Sequence, residues 1–211
     1  MTSIDSAGLK RMFDEIAAAI DADKDRLCQL DGVIGDADHG IAMALGFGAV
    51  REALAQLDLA ATGPTALLNT AAKSFLNAGA SSGPLYATAF MRAAAAVKGK
   101  AILEDADIIA MLRAMAQGIQ DRGKAELGEK TMVDAWLPAA QAAGAAQEAG
   151  KTLLESLETA LAAAERGAEA TKDMIAAKGR SSRLGERSLG HMDPGAASAV
   201  TIIKAIRDSL A

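Results

Sequence analysis

The sequence has little of several features that define whole classes of protein. A single cysteine, Cys28, excludes a disulfide framework within the chain and suits a reducing compartment. Aromatic residues make up only 3% of the sequence and the formal net charge is -5, which argues against a nucleic-acid surface. The apolar runs are interrupted by residues such as Arg92 and Asp134, and the amino-terminal residues lack the apolar core of a signal peptide. We therefore expect a cytoplasmic protein with no nucleic-acid and no membrane partner.

Runs of alternating β-branched residues, which are typical of strands, are absent as well. Alanine, leucine and methionine dominate instead, and apolar residues recur three and four positions apart, which predicts an all-α protein. No linker divides the 211 residues, so we expect a single domain over residues 1–211. The pattern predicts eight helices, near residues 6–29, 40–57, 64–78, 83–98, 103–121, 131–148, 151–177 and 194–209.

The connections between these helices alternate in character along the chain. In an up-and-down bundle with short connections, alternate connections lie at the same end. Those after the first, third, fifth and seventh helices carry nearly all the loop chemistry: residues 31–39, 79–82, 122–130 and 179–193. Those after the second, fourth and sixth helices are short and carry little of it: Thr62-Gly63, residues 98–100 and Ala149-Gly150. The sequence therefore predicts an eight-helix antiparallel up-and-down barrel or bundle with its functional groups at one end.

The loop after the first helix is rich in carboxylates. Asp31, Asp36 and Asp38 stand close together in the sequence, and carboxylates that meet need a cation between them. Asp36 and Asp38 are one residue apart, so in an extended segment both side chains project to the same side, while Gly35 and Gly40 permit a tight turn. Mg²⁺ bound by a few carboxylates and a nucleotide phosphate is one interpretation. A solvated Asp-rich turn is the alternative.

The other three loops at this end suit the remaining parts of a nucleotide. Ser81 and Ser82 precede a proline at a helix start, where backbone N–H groups favour an anion such as phosphate. Gly123 and Met132 are placed to flank a planar ring, and Arg180 offers a guanidinium group suited to phosphate in a segment long enough to be a lid. Each loop also has a plain structural explanation: a helix cap, a solvated loop and surface ion pairs.

Four blocks of sequence, in order over essentially the whole chain, resemble the nucleotide-binding L subunit of dihydroxyacetone kinase. They are Gly35-Asp36-Ala37-Asp38-His39-Gly40; Ala80-Ser81-Ser82-Gly83-Pro84-Leu85; Arg122-Gly123-Lys124-Ala125 with Gly128-Glu129-Lys130-Thr131-Met132; and Gly179-Arg180 with Leu184-Gly185-Glu186-Arg187-Ser188 and Asp193-Pro194-Gly195-Ala196. The resemblance implies an eight-helix antiparallel barrel that binds ADP or ATP at one end through two Mg²⁺ ions.

The same resemblance implies a role for individual residues. The Mg²⁺ ligands are Asp31, Asp36 and Asp38. The phosphate-side contacts are His39, Gly40, Ile41, Ser81 and Ser82; the adenine-side contacts are Gly123 and Met132; and the remaining nucleotide contacts are Arg180, Asp193, Pro194 and Gly195. Two positions depart from the family pattern: Ala42 in the nucleotide-binding run stands where the family usually has Asn, and Arg183 where it often has an aromatic residue.

The family also implies how such a chain works. A separate K subunit binds the keto-sugar, so this chain supplies no substrate site and contributes phosphoryl positioning and charge neutralisation. The length of the chain resembles the phosphotransferase-system form, in which bound ADP is rephosphorylated in place by an M subunit. Three alternatives stay open: an ATP-exchanging dihydroxyacetone kinase, a tetrulose kinase, and a non-catalytic subunit that senses ADP and Mg²⁺. A homodimer is also left open.

Overall fold

Eight α-helices make up most of residues 3–211, the part of the chain that the computed structural model describes. They are α1 (Ser6–Ile34), α2 (His39–Ala55), α3 (Pro64–Ala78), α4 (Gly83–Ala96), α5 (Asp105–Gly123), α6 (Val133–Glu148), α7 (Leu153–Ala170) and α8 (Pro194–Asp208). Within the described residues the only β-type pairing is an isolated antiparallel bridge between Ile4 and Leu103. The predicted all-α class with eight helices is confirmed.

Local sequence signals set where several helices begin. The side chain of Asp5 accepts a hydrogen bond from the Gly8 N–H at 2.8 Å and caps α1. Thr152 and Glu155 form a reciprocal capping box at the start of α7. Proline stands in the first turn of α3, α4 and α8, where its missing N–H has no helical partner to lose.

Two helix ends differ from the sequence prediction. Helix α1 continues past residue 29 to Ile34, because buried Leu27, Asp31 and Ile34 extend its inner face through Gly32. Asp31 therefore lies in the last turn of α1 and not in the loop. Helix α7 ends at Ala170 and not near residue 177, and a short 3-10 turn, Thr171–Asp173, follows it.

The helices form a closed ring. Each packs against the next along the chain, and α8 packs against α1 to complete the circle. All six aromatic residues of the chain are buried in the interior, where their rings contact one another in a continuous cluster: Phe13, Phe47, Phe75, Tyr86, Phe90 and Trp136. The few aromatic residues thus serve the core. None of the described helices is long and apolar enough to span a membrane.

The alternation of direction gives the ring two different ends. At one end, which we call the distal end, the Ser6 hydroxyl donates to the Thr62 carbonyl at 2.5 Å and the Thr65 hydroxyl to the Val97 carbonyl at 3.2 Å. At the other end, α1, α3, α5 and α7 finish and α2, α4, α6 and α8 begin. The loops richest in charge, glycine and serine lie there.

Candidate functional site

A cavity of about 300 Å³ opens at the end where the even-numbered helices begin. The first residue or the N-cap residue of α2, α4, α6 and α8 lies in its wall: His39, Ser82, Met132 with Val133, and Asp193 with Pro194. The positive dipole ends of four helices therefore meet at the cavity, which favours a bound anion. The last turns of α1 and α5, and the loops that follow these two helices, complete the wall.

Three carboxylates converge at one side of this cavity. Asp31 is buried in the last turn of α1, whereas Asp36 and Asp38 lie in the loop before α2 with about half of each side chain exposed. One oxygen atom from each lies within 4.8 Å of the others. Hard divalent cations prefer carboxylate oxygens clustered in this way, so the donor set fits Mg²⁺.

The backbone around the carboxylates is held in a fixed form. Asp31 Oδ2 accepts hydrogen bonds from the backbone N–H of Asp38 at 2.9 Å and of His39 at 3.2 Å, which ties the loop to α1. A Cβ atom at Gly35 would collide with the Asp31 carboxylate, so a larger residue here would displace that carboxylate. Ala37 has a φ of 63°, in the left-handed region that residues other than glycine rarely adopt. Such local strain persists where the surroundings impose it, as they do at binding sites.

A basic side chain reaches the carboxylates from the opposite wall. Residues 178–181 line the cavity and belong to a segment, residues 174–190, that we call the strap. Arg180 on the strap forms an ion pair with Asp36 and a second with Asp38, with 3.3 Å between Nη1 and Oδ2 in the latter. The guanidinium group thus offsets part of the negative charge, and it stands within reach of any phosphate bound there.

His39 opens α2 directly beside the carboxylates. Its Nε2 lies 2.9 Å from the hydroxyl of Ser198, whose own hydrogen bond to the Gly195 carbonyl measures 3.0 Å. Burial lowers the pKa of the imidazole, and the charge of Asp31 acts in the opposite sense. The hydrogen bond to Ser198 therefore holds the ring between α2 and α8.

The rest of the cavity divides into a polar and an apolar part. Ser81 is exposed and Ser82 is buried at the start of α4, after Ala80 with a φ of 46°. The apolar part includes Leu85, Ile119 and Met132, and no aromatic ring of the described chain lines it. A flat ring bound there would pack against aliphatic and thioether groups.

Asp193 closes the site at the start of α8. Its carboxylate accepts the Ala196 N–H at 2.7 Å and caps the helix. Burial raises the pKa of Asp193 to about 7, against its usual 3.8; Asp134 and Asp31 act in the same direction, while the Ala196 hydrogen bond and Lys130 oppose them. The side chain is therefore close to the midpoint of its titration at neutral pH.

The structure gathers most of the predicted site residues in this cavity. Its lining includes Asp31, Asp36, Asp38, His39, Ser81, Ser82, Gly123, Met132, Arg180, Asp193, Pro194 and Gly195. Gly40, Ile41 and Ala42 do not line it, and each has another environment. A Cβ at Gly40 would collide with the Lys24 carbonyl of α1, Ile41 is 50% exposed, and Ala42 is buried in the helix packing.

Lys130 lines the cavity as well, although it is not among the predicted contacts. In the sequence it is one of several charged residues in a loop with two glycines, a pattern typical of a solvated loop. In the structure its side chain is buried, and Nζ donates to the carbonyls of Thr171 and His191 at 2.5 Å each. These partners are about forty and sixty positions away, so no local pattern reveals them.

Comparison with known proteins matches residues 33–208 to the DAK2 domain. This match spans most of the chain. The chain belongs to the DAK2 domain family. The resemblance inferred from the sequence is confirmed, because full-length relatives carry the corresponding names. The protein is 36% identical over 98% of its length to the ADP-binding subunit of PEP-dependent dihydroxyacetone kinase 2 from Listeria innocua, and covers 96% of that protein. It is 40% identical over 84% of its length to the ADP-binding subunit from Escherichia coli, and covers 84% of that protein.

Solved structures agree on the fold. The native dihydroxyacetone kinase of C. freundii superposes with a TM-score of 0.75 at 26% identity, over 96% of this DAK2 chain and 34% of that one. The same enzyme in complex with AMP-PNP and Mg²⁺ gives a TM-score of 0.74 at 24% identity, over 99% of this chain and 35% of that one. The all-α architecture seen here is thus a portion of a longer kinase chain in that protein.

Proposed function

We propose that this DAK2 protein is the nucleotide-binding subunit of a dihydroxyacetone kinase, which binds ADP or ATP with two Mg²⁺ ions and takes part in phosphoryl transfer to a keto-sugar held by a separate K subunit. The observation that carries the proposal is the cluster of Asp31, Asp36 and Asp38 with Arg180, at the mouth of a cavity lined by four helix starts. Relatives of nearly equal length are named ADP-binding subunits, which supports the choice of nucleotide.

The chemistry expected of the site is electrostatic. Mg²⁺ at the carboxylates would neutralise phosphate charge and orient the transferred group. Asp31 holds the loop that carries Asp36 and Asp38, so the oxygens are in position before the cation arrives. Arg180 approaches the same place from the strap, where it would pair with phosphate oxygens. The serines at the start of α4 would receive the rest of the phosphate chain.

The nucleotide proposal is tested by binding. Isothermal titration with Mg²⁺ and ADP, together with analysis of nucleotide released on denaturation, is expected to give one ADP site in the wild type. Asp36→Asn is expected to weaken Mg-ADP binding more than tenfold, because a lost carboxylate leaves phosphate charge unneutralised. Asp25→Asn, an exposed change elsewhere on α1, is the matched control and is expected to bind as the wild type does. Wild-type protein that binds no Mg-nucleotide at millimolar concentration would refute the proposal.

The phosphoryl donor is a finer part of the proposal. We infer that ADP stays bound and is rephosphorylated in place by a phosphotransferase M subunit, because relatives of this length are named PEP-dependent or PTS-dependent kinase subunits. The erythrulose kinases of Mycolicibacterium smegmatis and Pectobacterium atrosepticum instead contain the matching region as 34% of a longer chain. A tetrulose as sugar stays an alternative.

Turnover distinguishes the donors. The protein and a K subunit are supplied with dihydroxyacetone and either excess ATP or the phosphoenolpyruvate relay proteins, and sugar phosphate is followed. Sustained turnover only with the relay, without exchange of labelled ADP, supports retention of the nucleotide. Turnover with ATP alone and rapid exchange would identify an ATP-exchanging kinase. Tight ADP binding without turnover under either condition would favour the sensing subunit.

A further inference from the structure

Lys130 is a buried cation at the base of the strap. Its side chain is 1% exposed, although a lysine ammonium group is strongly stabilised by water. Nζ donates one hydrogen bond to the carbonyl of Thr171, which precedes the strap, and one to the carbonyl of His191, which follows it. A single ammonium group thus joins the two ends of one long segment.

Neighbouring hydrogen bonds close the same base. The Gly190 N–H donates to the Lys172 carbonyl at 2.8 Å, and the Asp193 N–H donates to the Thr171 hydroxyl at 2.9 Å. Lys130 therefore completes a ring of contacts in which the chain leaves α7 and returns to α8 at nearly one point. A segment whose two ends meet in this way resembles an Ω-loop.

The backbone conformation of Lys130 indicates that contacts with the rest of the protein hold this residue in place. Its φ is 59°, in the left-handed region that non-glycine residues adopt at a cost. Burial lowers the pKa of the ammonium group, whereas the carboxylates of Asp193, Asp134 and Asp173 act to raise it. The nearby negative charges support a buried cation there.

The strap connects this base to the carboxylates. Its inner side is held by the Ala176 N–H to the Ser188 hydroxyl at 2.9 Å and by the Ala177 N–H to the Glu129 carbonyl at 3.1 Å. Arg180 follows three residues after Ala177 and makes the ion pairs to Asp36 and Asp38. The position of the guanidinium group therefore depends on how the base is held.

We propose that Lys130 is a positioning residue: by fixing both ends of the strap, it sets the place of Arg180 over the carboxylate cluster. This inference rests on the proposed function for its consequence in catalysis. Its structural part, the control of the strap by one buried ammonium group, stands independently of which nucleotide or sugar is used.

The first test measures the strap without any ligand. Hydrogen exchange is compared between wild type, Lys130→Met and Lys124→Met, the last an exposed lysine change on the same loop. Lys130→Met removes the charge and keeps the chain length, so we expect the amides of Ala176, Ala177 and Gly190 to exchange about tenfold faster, with helix-interior amides unchanged. Lys124→Met is expected to match the wild type. Equal strap protection in Lys130→Met and wild type would overturn the proposal.

A second variant covers the case in which Lys130→Met does not fold. Ser188 is buried and holds the strap through the Ala176 N–H, in a hydrogen bond that does not involve Lys130. Ser188→Ala is therefore expected to raise exchange at Ala176 and to slow phosphoryl transfer, while Lys130 keeps its two carbonyls. If the strap amides of Ser188→Ala exchange faster and transfer is as fast as in wild type, strap position does not control the reaction and the proposal is wrong.

The third test asks whether Lys130 acts through Arg180. Phosphoryl transfer with the K subunit at saturating nucleotide is measured for Lys130→Met, Arg180→Gln and the double variant. We expect Lys130→Met to lower kcat about tenfold alone and less than about twofold in the Arg180→Gln background, because the residue it positions is already gone. Equal losses in both backgrounds would show a general structural effect and overturn the proposal. Wild type that binds no nucleotide would instead refute the proposed function and leave the exchange result intact.

Discussion

Arg180 and the proposed cations compete for the same oxygens. The guanidinium group pairs with Asp36 and Asp38, and both side chains of each pair are about half exposed to solvent. Exposed ion pairs of this kind contribute about 0–1 kcal/mol, so the arginine hinders a cation only weakly. When a phosphate is present, the same arginine can bind the phosphate as well. It then favours binding of the Mg-nucleotide, whereas it opposes binding of the cation alone.

Removing Arg180 is therefore expected to act in opposite directions on two affinities. In Arg180→Gln, the affinity for Mg²⁺ alone rises by up to about fivefold, because no side-chain cation occupies the carboxylates. The affinity for Mg-ADP falls, because a charge-assisted contact to phosphate is lost. Titration calorimetry measures both, with Arg183→Gln on the exposed side of the strap as control. A parallel change of both affinities would contradict this account.

The Asp193 carboxyl gives the protein a specific pH dependence. Its pKa is raised to about 7 in the folded state, so the folded protein retains a proton that the unfolded chain releases near pH 4. The stabilisation from that proton is complete below about pH 4 and is lost as the pH rises to about 7. Lys130, Asp134 and Asp31 are the charged groups that act on it.

Asp193→Asn removes this titration and keeps a good N-cap for α8. Urea unfolding is measured in EDTA without nucleotide, so that no bound cation contributes. Between about pH 4 and 7, the free energy of unfolding of the wild type is expected to fall relative to Asp193→Asn, by up to about 1.4 kcal/mol per pH unit. A difference between the two proteins that stays constant over this range would show that Asp193 titrates normally.

At the scale of the helix, two glycines of α2 differ in how closely other helices approach them. Gly40 lies where α2 meets α1, and a Cβ there would collide with the Lys24 carbonyl. Gly48 lies two turns further along, where a Cβ would have no neighbouring side chain or other helix within 4 Å. Only the first glycine is required by the packing.

These two positions make a matched pair for mutation. Gly40→Ala is expected to destabilise the protein by about 1–3 kcal/mol, because α2 must move away from α1. Gly48→Ala is expected to stabilise it by about 0.5–1 kcal/mol, because alanine restricts the unfolded chain and favours the helix. Chemical denaturation of both variants measures the free energies of unfolding. Equal effects would mean that the close approach of the two helices does not control stability.

Helix starts are easier to predict from the sequence than helix ends. Proline in the first turn fixes its own φ, so the start of α3 at Pro64 and of α8 at Pro194 are local properties. The end of α7 is not local: Thr171 leaves the helix where its hydroxyl accepts the distant Asp193 N–H. The site residues also differ in whether local sequence or distant parts of the chain determine their positions. The sequence spacing predicts the carboxylates, whereas the burial of Lys130 depends on carbonyls from another part of the chain.

At the scale of the whole molecule, the cavity joins elements that are far apart in the sequence. Its lining comes from α1, α2, α4, α5, α6 and α8, and from the strap. A ligand bound there would make contacts that exist only when all of these elements are folded. Binding and global stability should therefore be linked.

Mg-ADP is expected to raise the melting temperature of the wild type. At about 100 times the dissociation constant it contributes about 2.7 kcal/mol, which corresponds to roughly 5–10 °C for a chain of this size. Differential scanning fluorimetry with and without Mg-ADP measures the shift. Asp36→Asn is expected to lose most of it, and Asp25→Asn to keep it. A full shift in Asp36→Asn would remove that carboxylate from the proposed cation site.

The first residues of α1 and the last of α8 lie together at the distal end, since α8 packs along α1 in the opposite direction. The packing of the helix ring consequently does not depend on which distal connection carries the chain termini. A short linker between residues 208 and 6, with a new opening in the α2–α3, α4–α5 or α6–α7 connection, would keep every neighbour in the ring and leave the cavity untouched. The covalent order of the helices and the geometry of the site are in this sense separable.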